Sequence, residues 1–158
     1  MRQGVVRGLF FGTASGVITT LGLIVGLWAG TASLVAVMGG ILVIAVSDSM
    51  SDAFGIHLAE ESQPDASTLG VWLATLTTLG TKFLVAASFV IPLLLLPLDT
   101  AVGVAMAWGT VILVILSINI ARMRETPAFP VVVEHLAIAL LVMILSWAVG
   151  TGVRYAFA

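Results

Sequence analysis

The sequence predicts an all-α integral membrane protein with five transmembrane helices, and three observations carry that expectation. Apolar residues make up 60% of the 158 and charged residues only 9%, against about 25% charged in an ordinary soluble domain. The mean hydropathy is +1.21. The apolar residues gather into runs long enough to span a bilayer, about 20 residues at 1.5 Å rise each, with no period-two alternation to suggest a β-barrel.

The chain reads as a single transmembrane domain over 1–158. The first span covers about 5–29 and follows Met1-Arg2-Gln3-Gly4 without a cleavage-site pattern, so it reads as a retained helix. The turn Gly30-Thr31-Ala32-Ser33 separates it from the second span, about 33–57. A polar run from Ala59 to Thr68 precedes the third span, about 70–96, in which Pro92 and Pro97 are expected to kink or end the helix. The fourth span, about 100–121, follows Pro97-Leu98-Asp99-Thr100, and the fifth, about 131–153, follows the segment Arg122 to Pro130.

Arg2, Arg7, Arg122 and Arg124 fall on one side of such a bundle and only Arg154 on the other, which places the N-terminus in the cytoplasm and the C-terminus outside. Trp28, Trp72, Trp108 and Trp147 are expected near span ends, at the interface. Shortness and the lack of a targeting segment fit a prokaryotic cytoplasmic membrane.

Cysteine is absent, so disulfides, iron–sulfur clusters and thiolate zinc sites are excluded. A net charge of -2 with no basic cluster argues against nucleic acid as a partner. There is no Gly-x-Ser-x-Gly elbow, P-loop or His-Glu-x-x-His, and two well-separated histidines give little basis for a hydrolase, so an enzyme is not expected. No permanently bound cofactor is expected either.

Gly4, Gly8, Gly12, Gly16, Gly22, Gly26 and Gly30 of the first span fall within an arc of ~120°, shared with Ser15 and Thr19. In lipid such a face lets another backbone approach closely. It suits packing within the chain, a homodimer interface, or the wall of a translocation path.

The segment Ser47-Asp48-Ser49-Met50-Ser51-Asp52 sets two carboxylates one turn apart in a stretch that otherwise belongs in lipid. Each costs at least ~2.5–3.5 kcal/mol on insertion scales, so such groups face a partner charge, a protein interior or an ion path. Asp48 and Asp52 lie ~40° apart on a helical wheel, and Met50 and His57 point away from them. Two carboxylates with hydroxyls and water make a hard oxygen site, suited to Mn²⁺, Fe²⁺, Mg²⁺ or Ca²⁺. The competing reading is an ion pair. Lys82 and Asp48 both lie ~14–18 Å from the cytoplasmic ends of their spans. Glu60, Glu61 and Glu134 are candidates for attracting cations at the cytoplasmic mouth. His57 and His135 are candidates for ion pairing or proton coupling, or are plain interfacial residues.

Gly12-Thr13-Ala14-Ser15-Gly16-Val17-Ile18-Thr19-Thr20-Leu21-Gly22-Leu23-Ile24-Val25-Gly26-Leu27 resembles the vacuolar iron transporter family, whose first helix carries Asp-Gly-x-x-Thr-Thr and then Val-x-Gly. The Ser-rich end of the second span and Phe89-Val90-Ile91-Pro92-Leu93-Leu94 of the third extend the likeness. The resemblance implies a homodimeric five-helix carrier that moves Fe²⁺ or Mn²⁺ out of the cytoplasm, in exchange for protons. The chain departs from the pattern at the site. Ser15 stands at the family's aspartate, Asp52 at its methionine and Ile56 at its glutamate. These departures equally suit a divergent member that carries another solute or protons, or a membrane scaffold or accessory subunit.

Overall fold

The computed structural model describes residues 2–157, without the side chain of Arg2. The described chain forms six helices and no strand: α1 (Arg2–Thr31), α2 (Leu34–Glu61), α3 (Thr68–Ser88), α4 (Val90–Leu95), α5 (Leu98–Met123) and α6 (Ala128–Phe157). With α3 and α4 taken together, five segments are long and apolar enough to cross a membrane, so this is read as an integral membrane protein.

The helices run past the expected span ends because the flanking polar residues are themselves helix formers. Leu58-Ala59-Glu60-Glu61, expected partly in the loop, adds the last turn of α2. Local chemistry sets the remaining boundaries. Ser33 and Ser67 accept from the backbone N–H groups of Ala36 and Gly70 and cap α2 and α3. Pro97 precedes α5, with Asp99 in its first turn. The α5 end is a Schellman motif: Thr126 N–H donates to the Ala121 carbonyl and Glu125 N–H to that of Arg122. Glu125 holds the left-handed position at φ 54°, where glycine is usual.

The third span is interrupted at Phe89, between α3 and α4. Pro92 has no N–H to give to the Ser88 carbonyl, and its ring crowds that group. The Ser88 side chain donates to Val85 O and accepts from Trp108 Nε1 at 3.0 Å. Trp108 lies ~15 Å along α5 from its start.

α1 is the central helix and touches α2, α3, α5 and α6. Its glycines make this possible. A Cβ on Gly8 would sit 2.5 Å from Ala74 O, and one on Gly12 2.8 Å from Thr78 O. Gly16 meets Val85 and Lys82 O. Toward the other end, Gly22 and Gly26 meet Val142 and Ser146 of α6, and a Cβ on Gly150 would fall 2.1 Å from Gly26 O. Within one chain α3 thus packs on the first part of the glycine arc and α6 on the later part, where Gly22, Gly26 and Gly30 also line an apolar groove of about 760 Å³. The rest of the core is apolar, centred on Val17, Leu21, Ile24, Ile41, Phe89, Val102 and Leu113.

Candidate functional site

Four-spaced ridges of α2 and α3 meet the glycine row Gly8, Gly12 and Gly16 of α1 midway along the bundle. α3 buries Ala74, Thr78, Lys82 and Ala86, and α2 buries Ile41, Ala45, Ser49 and Ala53. The residues flanking Lys82 on its ridge are small, and Gly12 and Gly16 of α1 straddle its backbone. This close approach lets one turn of α1 reach the Lys82 side chain.

Lys82 is 2% exposed, and its ammonium has three oxygen neighbours. Asp48 Oδ2 lies 2.6 Å away in ionic contact, and this buried oxygen accepts no hydrogen bond of good geometry. Asp52 Oδ2 accepts directly from Nζ. Ser15 Oγ accepts from Nζ at 2.9 Å and donates to Asp52 Oδ2 at 2.6 Å, closing a triangle across α1, α2 and α3. By helix rise, Ser15, Asp48 and Lys82 lie about 20–24 Å from either end of their spans, and Asp52 about 14 Å from the end of α2.

Two carboxylates answer one ammonium, so the cluster carries a formal charge of −1. The charges offset part of one another's desolvation. The aspartate side chains remain 29% and 23% exposed, the lysine far less. Nearby in α2, Ser49 Oγ is buried without a partner, as is Thr20 Oγ1 in α1. Met50 is 60% exposed, away from the cluster.

The other residues singled out in the sequence go elsewhere. Glu60 takes both its carboxylate oxygens to Arg7 Nη1, at 2.8 and 2.9 Å, tying α2 to α1 at the end that carries the N-terminus. A cleft of about 390 Å³ opens there, lined by Gln3, Arg7, Glu60, Gln63, Asp65 and Gly70 among others. Glu61 lies 3.9 Å from His57 Nε2. Glu134 is exposed, and among the described residues it has no basic group within ion-pair distance. His135 Nδ1 lies 2.8 Å from Ser117 Oγ, whose own hydrogen goes to Leu113 O. Among the described residues no three of the His, Asp and Glu side chains come together as a metal-holding group. Asp48 and Asp52 therefore share a site with each other and with Lys82, and not with Glu60, Glu61 or Glu134.

Ser15 was legible only as a replaced aspartate and as a member of the glycine arc. Its bonds to Lys82 and Asp52 depend on how α1 faces α2 and α3, which spacing along one helix does not give. The Arg7–Glu60 pair was hidden for the same reason. In comparisons of the chain with known proteins, no family model, no curated protein and no solved structure matches it.

Proposed function

We propose that the chain is a membrane cation carrier whose exchange site is the Asp48–Asp52–Lys82–Ser15 cluster. One observation carries this reading: midway along the bundle, two carboxylates face a single ammonium. An unanswered carboxylate at that depth is costly, and it is the charge a second cation would meet.

Asp48 and Asp52 with Ser15 Oγ offer hard oxygen donors, which suit Mn²⁺ or Fe²⁺. The likeness of Gly12–Leu27 to vacuolar iron transporters supplies the same cargo class. For such an ion to bind, the Lys82 ammonium must leave Asp52. If Lys82 gives up its proton as the metal arrives, one positive charge departs as two enter, and metal movement is coupled to protons. Ser15, bonded to both partners, would hold Asp52 while the ammonium moves. The exposed parts of Asp48 and Asp52 favour a second copy, or a water-filled path, beside α2.

A second reading has its own support. Lys82 is buried and has three oxygen neighbours, which also describes a static brace between α1, α2 and α3 in a scaffold or accessory subunit.

Proteoliposomes separate the two. Wild type should take up Mn²⁺ with a matching proton counterflow reported by an internal pH dye, and Asp52→Asn should reduce both to the level of empty vesicles. Wild-type vesicles that pass neither Mn²⁺, Fe²⁺ nor protons above that level would leave the brace as the account. Undiminished flux in Asp52→Asn would sink the assignment of the site.

A further inference from the structure

At the N-terminal end of the bundle, His57 is held as a ligand is held. Thr75 Oγ1 has one hydrogen and donates it to Val71 O at 2.8 Å. Its contact with His57 Nδ1 at 2.9 Å must therefore be accepted from the ring. The hydrogen-bond network thus assigns the proton of the neutral imidazole to Nδ1 and leaves a lone pair on Nε2. Trp72 packs edge-on against the ring, with centroids 4.9 Å apart, and fixes its plane.

The group that Nε2 faces is a carboxylate. Glu61 Oε2, one turn further along α2, is 3.9 Å away. That is too long for a hydrogen bond. It is close to the bite of a shared metal ion, since two ligands at ~2.1 Å from one centre stand roughly 3.0–3.4 Å apart. The Glu61 side chain is 66% exposed and free to close that gap. Among the described residues no lysine or arginine is within ion-pair distance of Glu61. A cleft of about 350 Å³, lined by His57, Glu61, Gln63, Thr68 and Trp72 among others, gives room for bound water.

We propose that His57 Nε2 and Glu61 form a two-ligand site for a transition-metal dication of the Zn²⁺, Co²⁺ or Fe²⁺ class, completed by water. The imidazole selects this class over Mg²⁺ and Ca²⁺, which prefer all-oxygen sites. Thr75 is the positioning residue: its acceptor oxygen fixes the tautomer and the ring orientation, as the outer partner of a metal-bound histidine does. The site is separate from the Asp48–Asp52 cluster and does not depend on transport.

The test is a Co²⁺ titration of the full chain in detergent micelles, read by equilibrium dialysis and by quenching of tryptophan fluorescence. Wild type should bind saturably, and Trp72→Phe should remove most of the quenching without removing the bound Co²⁺. His57→Ala should weaken binding at least tenfold, Glu61→Gln several-fold, and Thr75→Val about tenfold. Thr75→Val keeps the shape of the side chain and the imidazole, so it serves if His57→Ala folds poorly. The same losses should appear when the titration is run in an Asp52→Asn background, where the membrane cluster does not hold Co²⁺, and Mg²⁺ at the same concentration should not compete. Wild-type affinity in both His57→Ala and Thr75→Val would overturn the proposal.

Discussion

Replacing Lys82 with methionine should destabilise the bundle more than any other single change at the cluster. The ammonium is 2% exposed, while the carboxylates it answers are 29% and 23% exposed. Taking away one partner of a buried pair costs about 3–5 kcal/mol, because the opposite charge stays behind without compensation. Here two carboxylates stay behind, each costing ~2.5–3.5 kcal/mol at mid-membrane depth before their partial exposure is discounted. About 3–5 kcal/mol is therefore the expected loss for Lys82→Met. Asp52→Asn should cost less, because Lys82 keeps its contact with Asp48. In the double variant the Asp52 charge no longer needs answering, so its loss should fall short of the sum by about 1–3 kcal/mol. Reversible unfolding of the four proteins in mixed micelles, followed by tryptophan fluorescence, gives the cycle. Single losses that add within about 0.5 kcal/mol would refute the coupling.

Two further changes test the packing. Gly8→Ala should lower stability by about 1–3 kcal/mol through overpacking, since the new Cβ meets Ala74 O at 2.5 Å. Gly80→Ala, with nothing within 4 Å, should be neutral or raise stability slightly in the same unfolding assay. At the α5 end, Glu125→Gly should stabilise by about 1 kcal/mol by relieving a left-handed residue. Glu125→Ala should not, and equal effects from the two would contradict the assigned backbone strain.

The five spanning segments were readable because hydrophobic length is a property of one stretch of chain. So was the interruption near Pro92, since a missing N–H acts on its own helix wherever it lies. The Asp48–Lys82 pair was legible as a match of depths, because both residues can be counted from the ends of their spans. What spacing does not hold is the rotation of one helix against another. The glycine arc of α1 showed that a backbone comes close, but not that α3 takes Gly8, Gly12 and Gly16 while α6 takes Gly22 and Gly26. The role of Ser15 follows from that rotation. The same holds for His57, which points away from the aspartates on its own helix and meets Thr75 of α3.

Lys82 is the only lysine in the chain, so nitrogen-15 lysine labelling yields a single side-chain signal. Recording that signal during a Mn²⁺ titration, in a His57→Ala background that removes the peripheral site, tests the cation-exchange account directly. The account predicts that Mn²⁺ broadens the Lys82 signal beyond detection and that adding Asp52→Asn restores it. A Lys82 signal that stays sharp while Mn²⁺ still crosses the vesicle membrane would contradict exchange at this cluster.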